Sequence, residues 1–447
     1  MVHRSGDEGS RARVLVGTSV GTSLEWFDFL LYGALAGTVF PYVFFPSSSS
    51  TAALLASFAT FGVGFIARPF GAAFFARVTD RVGRKHTMVV TLTIMGVASF
   101  AIACLPGYAA IGVLAPILLV VLRFVQGFSV GGETSSAQIM ALEHAPDQRR
   151  GLYGAVVNLG NPIGQVLVAS FILGAGLAVG EEALREWAWR VPFFAGALMA
   201  VVGYFIRRHI DESPAFVEAR EIGARSASPL REVFAEQGGS IARMAAIWAP
   251  NTACSFVVTT WALSYITSTL GMSSTVTFSL LLGMNVIGLA LVPLGGVLSD
   301  RFGRKRVLAT CMTTSMLGSF ALFPLLDTRN FALMLLAMVI TQGAQLTAVG
   351  VMAALFAEPF PVPVRYSGHA AVYTLNNLVA GAPAPLVAAA LLALTGSPWS
   401  IVALLASMYV VSLALLRSAP ETRWLPFRDN FGTSVGASAP EPRAERT

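Results

Sequence analysis

The chain has 447 residues, 55% of them hydrophobic and only 12% charged, against about 25% charged in soluble domains. With a mean hydropathy of +0.68, this composition excludes a large soluble enzyme and indicates a polytopic membrane protein. The net charge of +6 does not point to nucleic acid, because the bases cluster in short loops between apolar segments, the orientation signal of inner-membrane proteins.

Residues 1–13 are polar and basic, and an apolar segment over 14–40 follows. It is longer than the roughly 7–15 residues of a signal-peptide core, so it is expected to remain as the first membrane helix. Eleven more apolar segments follow at 53–76, 87–105, 111–140, 152–178, 190–208, 242–269, 276–298, 306–325, 331–357, 366–394 and 399–417. Several exceed the ~20 residues a bilayer requires, so tilt or kinks are expected. Pro116, Pro162, Pro293, Pro383 and Pro385 are the candidate kink sites. Cys104, Cys254 and Cys311 stand singly, without the spacing of a metal site or a disulfide.

The first segment carries two carboxylates, Glu25 and Asp28. Three residues apart on a helix, they share a face. Each ionised acid near a bilayer centre costs about 2.5–3.5 kcal/mol, so both are expected to face a wet cavity, a partner charge or a proton. In the fourth segment Arg123 is followed by Gln126 and Glu133, the last two sharing a face two turns apart. A buried arginine stays charged and needs an anion, either a cavity acid or the substrate. Arg68, before Pro69, is expected to snorkel.

The loop bases alternate. Arg77, Arg81, Arg84 and Lys85, then Arg149 and Arg150, then Arg301, Arg304, Lys305 and Arg306, then Arg365 lie on one set of connections. Connections 41–52, 106–110, 270–275 and 395–398 hold no Lys or Arg. The positive-inside rule then places both termini in the cytoplasm, as an even number of spans requires. The longest connection, 209–241, divides the spans six and six. The expected organisation is an N-terminal half over 1–208, a cytoplasmic linker over 209–241, a C-terminal half over 242–423 and a disordered cytoplasmic tail over 424–447. The halves repeat: DRVGRK at Asp80–Lys85 recurs as DRFGRK at Asp300–Lys305, and RRGLYG at Arg149–Gly154 has a weaker echo in VRYSG at Val364–Gly368. Parallel six-helix repeats are a layout of secondary transporters, with substrate bound near the midplane between them.

The paired loops resemble the signature of the major facilitator superfamily. LEWFDFLLYG at 24–33, RPFGAAFFARVTDRVGRK at 68–85, RFVQGFSVGGE at 123–133, WRVPFFAGAL with DESPAF across 189–216, and PLGGVLSDRFGRKRV at 293–307 resemble its metabolite:proton symporter family. That family carries citrate, 2-oxoglutarate, shikimate, proline or betaine. EPFPVPVRYSG at 358–368 is a further, weaker match. The resemblance implies an all-α membrane protein with the major facilitator fold, twelve transmembrane helices in two six-helix pseudo-repeats. The chain departs from the family pattern after Glu133, where Thr134, Ser135 and Ser136 replace Trp and glycines.

These features assign expected roles. Glu25, Asp28 and Glu133 are the proton-coupling candidates, and Arg123, Gln126, Asn158, Asn161, Asn251, Tyr373, Asn376 and Asn377 the substrate-binding ones. Asp80, Arg81, Gly83, Arg84, Asp300, Arg301, Gly303, Arg304 and Arg365 are the gate candidates, as carboxylate–arginine clamps around tight glycine turns. Thr252, Ser255, Asn285, Gln342 and Gln345 add further polar positions inside spans, and Trp26, Phe27, Trp261 and Tyr265 could form an aromatic wall. His144 and His369 read as solvated loop residues. No phosphate-binding loop of the GxxxxGK[ST] type is present, so ATP does not drive the cycle directly. No cofactor or metal is expected beyond the proton as coupling ion. The expected partners are a small metabolite, the proton and the bilayer, with no nucleic acid, and the chain is expected to be monomeric. The reading is proton-coupled symport of a small organic acid or zwitterionic metabolite; the alternatives are a proton-coupled exporter of drugs or metabolites, or a non-transporting sensor.

Overall fold

The computed structural model describes residues 4–46, 49–82, 84–130, 133–208, 229–361, 364–424 and 427; side chains are described for all of these except 4–18, 20, 76–77, 79–82, 84–85, 88, 133, 206–208 and 229–234. These residues form helices α1 (Arg4–Thr38), α2 (Ser50–Val82), α3 (Arg84–Cys104), α4 (Leu114–Glu143), α5 (Asp147–Ala188), α6 (Arg190–Arg208), α7 (Ala235–Thr269), α8 (Ser274–Phe302), α9 (Arg304–Asp327), α10 (Phe331–Ala357), α11 (Arg365–Thr395) and α12 (Trp399–Ser418). Among the described residues, nine helices are long and apolar enough to cross a membrane, and Val89–Cys104 and Arg190–Phe205 are shorter apolar helices. With α1 they are consistent with the twelve expected spans. Only a helix or a closed barrel satisfies every backbone polar group inside lipid, so apolar runs of this length have one available conformation.

Local chemistry sets the boundaries. Ser273 caps α8 by accepting from Val276 N at 3.3 Å, and Asn330 caps α10 by accepting from Ala332 N at 3.0 Å. The turn between α8 and α9 passes through Gly303 at φ 96°, a left-handed backbone that side chains with a Cβ resist. Several helices are irregular. α5 breaks at Leu159, just before Pro162. π-helical turns interrupt α7 at Val257–Trp261, α10 at Val339–Gly343 and α11 at Asn377–Gly381, the last running into Pro383 and Pro385.

Within the N-terminal half α3 packs on α6, α2 on α4 and α1 on α5; within the C-terminal half α8 packs on α10 and α7 on α11 and α12. The halves meet where α5 packs on α8 and α2 on α11. Apolar side chains such as Val97, Leu198, Leu317 and Val411 remain exposed, as lipid-facing positions require. The expected linker lies outside the described residues as far as 228, and from Pro229 the chain is already helical and runs into α7. The segment after α12 folds back onto the gate loops, Trp424 is exposed and Phe427 is buried; residues 425, 426 and 428–447 of the expected disordered tail lie outside the described residues.

Candidate functional site

Asp28 is buried inside the N-terminal half. The Ser99 hydroxyl of α3 donates to its carboxylate, and the Gln126 amide of α4 donates to Asp28 Oδ2 at 2.7 Å. The carbonyl of the same Gln126 accepts from Arg123 Nη1 at 3.1 Å. Gln126 therefore bridges acid and arginine, which were expected to meet directly or through substrate. The Arg123 guanidinium lies 4.4 Å from the Phe29 ring centroid and 4.3 Å from that of Tyr32. Its Nε and Nη2 have no hydrogen-bond partner, so ring faces hold the cation. The side chain fits because α2 presents a bare backbone: a Cβ on Gly64 would stand 2.7 Å from Arg123 Nε.

Glu25, also buried, accepts from Thr134 Oγ1 at 3.0 Å on both carboxylate oxygens. The departure from the family pattern after Glu133 thus supplies a partner for the first acid. The Glu133 side chain lies outside the described residues. Arg68 does not snorkel; it is buried over Phe29 at 4.4 Å and Phe65 at 5.2 Å. Phe29 therefore contacts both in-span arginines.

A central cavity of about 40 Å³ opens between the halves. Trp26 and Leu30 of α1 and Asn158 and Asn161 of α5 line one side. Trp248, Thr252, Ser255 and Phe256 of α7 face them, with Gln345 and Phe356 of α10 and Tyr373, Asn376 and Asn377 of α11. Asp28 stands two residues from both Trp26 and Leu30, a rotation of about 200°, so α1 shows the cavity one face and the buried acid another. Thr252 donates to Asn376 Oδ1, and Asn376 Nδ2 donates to Ala245 O at 2.9 Å. Gln342 donates to Ser255 at 3.1 Å and to Gln345 Oε1 at 3.0 Å. The Tyr373 hydroxyl lies beside Thr134 and Arg68.

The expected substrate set divides accordingly. Asn158, Asn161, Tyr373, Asn376 and Asn377 line the cavity. Arg123 and Gln126 belong to the acid compartment behind it, and Asn251 is buried in α7 off the lining with both amide atoms unpartnered. Of the expected aromatic wall only Trp26 reaches the cavity; Phe27 packs on Phe171, while Trp261 and Tyr265 pack on Phe323. His369 is fully buried against Phe356, not solvated; His144 is exposed as expected.

A sugar (and other) transporter family model matches residues 14–228, and a major facilitator superfamily model matches 251–439. The chain is 36% identical to the inner membrane metabolite transport protein YhjE of Escherichia coli (strain K12), covering 85% of this chain and 88% of that protein. It is 33% identical to the shikimate transporter of the same organism, over 89% of this chain and 93% of the other. The chain belongs to the major facilitator superfamily. The crystal structure of the proton:xylose symporter XylE bound to 6-bromo-6-deoxy-D-glucose shares the fold, with a TM-score of 0.73 at 18% identity over 93% of this chain and 97% of that one. This facilitator is therefore a multi-pass secondary active transporter of the cytoplasmic membrane, not an enzyme.

The facilitator's gate loops meet at the end of the α5–α8 seam. Asp300 accepts from the backbone N–H groups of Gly151 at 2.8 Å and Leu152 at 2.9 Å, capping an N-terminal turn of α5 from the opposite half. Arg304 pairs with Asp300 at 2.7 Å and with Glu358 at 3.0 Å, and Arg150 of the N-terminal half reaches Glu358 at 3.2 Å. Arg365 donates to Phe427 O at 2.8 Å with its guanidinium 3.7 Å from the Phe427 ring. Asp300, Gly303, Arg304 and Arg365 thus stand together as expected, whereas the exposed Arg301 guanidinium lies over Phe302. Gly83 and the side chains of Asp80, Arg81 and Arg84 lie outside the described residues. Glu358, Arg150, Glu421 and Thr422 were not anticipated. Glu421 accepts from Arg304 N at 2.8 Å and Lys305 N at 3.1 Å, and Thr422 donates to Glu358 at 2.6 Å. A repeated spacing marks part of this network: Glu143 to Arg150 (150 − 143 = 7) and Glu358 to Arg365 (365 − 358 = 7).

Proposed function

We propose that this facilitator is a proton-coupled symporter of a small organic acid or zwitterionic metabolite, working as a monomer, with Asp28 as the principal coupling group. The observation that carries the reading is the Asp28–Gln126–Arg123 chain buried beside, but not in, the cavity. Ionised, Asp28 accepts from both Ser99 and Gln126. Protonated, it becomes a donor, able to reverse its bond with Ser99, whose hydroxyl also reaches Met95 O, and the loss of its charge loosens its hold on Gln126 and, through it, on Arg123. α1 carries both Asp28 and the cavity residues Trp26 and Leu30, so a shift on one face of this helix moves the other. The relatives, one a shikimate and one a metabolite transporter, support small-molecule cargo, and XylE, which shares the fold, is a proton:xylose symporter. Asp80, Arg81, Gly83 and Arg84 are assigned to a second gate by repetition of the Asp300–Lys305 loop, and Glu25 and Glu133 to auxiliary coupling roles.

The test is uptake into reconstituted vesicles under an imposed inward proton gradient, with Asp28→Asn alongside. Accumulation that an uncoupler collapses, and that the variant loses while still exchanging substrate across the membrane, is expected. Undiminished, uncoupler-sensitive accumulation by Asp28→Asn would overturn the assignment of the coupling group.

A further inference from the structure

We infer that Glu181 is a positioning residue of the transport cycle: it fastens the end of the α5–α8 seam away from the basic loops, as Asp300 fastens the end beside them. By the positive-inside rule that far end is periplasmic. The inference goes beyond the symport reading and holds for any cargo or coupling ion. α8 begins at Ser274, and the Glu181 carboxylate of the opposite half accepts from Ser274 N at 2.7 Å. That N–H is one of the donors that the start of a helix leaves without an intrahelical partner, and the Ser273 cap serves Val276 N instead. The carboxylate also sits where the helix dipole favours negative charge. At the other end of the same two helices Asp300 does this for Gly151 N and Leu152 N of α5. The exchange is reciprocal: each helix lends a carboxylate from near its C-terminal end to the N-terminal turn of the other.

The backbone is turned to make the far contact. Gly180, immediately before Glu181, interrupts α5 at φ 85°, a left-handed conformation that a residue with a Cβ resists. A Cβ there would meet no atom within 4 Å, so the turn and not crowding calls for glycine. The receiving turn between α7 and α8 is held in place: Met272 N donates to Ile266 O at 3.1 Å, and Tyr265 of α7 donates to Asp327 of α9 at 2.8 Å. The second seam, α2 on α11, has no equivalent carboxylate. α11 also ends at a left-handed glycine, Gly396 at φ 65°, but Ser397 and Pro398 follow it, and connections 41–52 and 395–398 hold no Asp or Glu. Gly151 and Glu181 stand 30 residues apart (181 − 151 = 30), roughly 45 Å along a helix. Halves that rock about so long a seam part at one end while closing at the other. Opening to the periplasm therefore breaks the Glu181 contact and keeps those of Asp300, and opening to the cytoplasm does the reverse.

The test is pulsed electron paramagnetic resonance on the cargo-free full chain in lipid nanodiscs, with Cys104→Ser removing the exposed native thiol. Spin labels on Trp187→Cys and Thr328→Cys report the periplasmic ends of the two halves, and labels on Gln148→Cys and Arg306→Cys the cytoplasmic ends; all four positions are exposed. Glu181→Ala should raise the long-distance population of the periplasmic pair about three- to tenfold, while the cytoplasmic pair does not lengthen. Glu181→Gln, which keeps an acceptor without the charge, should fall between Glu181→Ala and the parent. Asp300→Asn should lengthen the cytoplasmic pair and spare the periplasmic one. Gly180→Ala keeps the carboxylate but strains the turn that aims it, and should shift the periplasmic pair in the same direction by less; no shift would remove the glycine's part. A periplasmic pair unchanged in Glu181→Ala, as for a merely local contact, or both pairs lengthening together, as for general loosening, would overturn the inference.

Discussion

Among the described residues, the N-terminal half buries the carboxylates Glu25 and Asp28 and the guanidinium groups of Arg68 and Arg123 in the middle of its helices, among rings and small polar partners. At comparable depth the described residues of the C-terminal half bury neutral amides, Asn251, Asn285, Gln342, Gln345, Asn376 and Asn377. Helix geometry divides along the same line. α7, α10 and α11 contain π-helical turns within their spans, whereas among the described residues of the N-terminal half the π turn lies at Leu184–Ala188, at the end of α5. A charge held in a low-dielectric site needs fixed partners, and regular helices supply them. A wall that must fit and release cargo gains from π turns, which free backbone groups and concentrate at functional positions. Two halves alike in their loops therefore differ inside, one burying charges in mid-helix and the other neutral amides.

The sharpest way to break this comparison is to remove the charge. Arg123→Leu deletes the cation that Gln126 links to Asp28 and should abolish accumulation, as Asp28→Asn does. A matched change across the cavity, Gln342→Leu, should alter affinity and leave coupling to the proton gradient intact. Accumulation ratios measured with and without uncoupler separate the two; equal loss of coupling in both would erase the division of labour.

Where the halves do resemble each other, at the gate, the expected cost is energetic. Glu358 is buried between Arg150 and Arg304. Glu358→Ala leaves both cations without it, and breaking a buried pair typically costs about 3–5 kcal/mol. Thermal unfolding in detergent should register a large fall in midpoint, partly restored by Arg304→Met in the same chain. A smaller effect belongs to the cavity. Tyr373→Phe removes a cavity-lining hydroxyl that lies beside Thr134 and Arg68, so stability should fall by no more than the ~0.5–1.5 kcal/mol of one hydrogen bond. If the hydroxyl binds cargo, affinity should fall by the ~0.5–1.5 kcal/mol of one hydrogen bond, read as a rise in KM at unchanged uncoupler sensitivity.

The spans were legible because lipid leaves an apolar run of twenty residues little choice, and the two loop motifs exposed the repeat. Glu25 and Asp28 were legible because a mid-span charge is costly enough to stand out. Which way each group faces was not. Arg123 ends against Phe29 and Tyr32, with Gln126 between it and Asp28, because α2 shows it Gly64 rather than a side chain; that depends on the rotation of a neighbouring helix. Glu358 escaped notice for the opposite reason. At a span end a carboxylate resembles an ordinary loop charge, and only the two arginines converging on it from different helices reveal its burial. His369 shows the same limit, since a histidine beside a basic loop reads as solvated until Phe356 is seen packed against it.

The smallest effect tests the segment after α12, whose composition reads as unstructured. Phe427 packs with Leu142 of α4 and Ala353, Ala354 and Ala357 of α10, under the guanidinium groups of Arg365 at 3.7 Å and Arg150 at 5.3 Å. It therefore touches both halves on the side where Asp300 caps α5, and it should favour the closed gate. Phe427→Leu keeps an apolar side chain but removes the ring, forfeiting about 0.5–1 kcal/mol of cation–π attraction. The Gly151 and Leu152 amides report the gate directly, because Asp300 holds them only when the seam is shut. Their hydrogen exchange in the variant should accelerate about two- to fivefold while amides in the middle of α1 keep their rate. Unchanged exchange at those two amides would reduce the contact to packing, and the gate would then rest on its carboxylates alone.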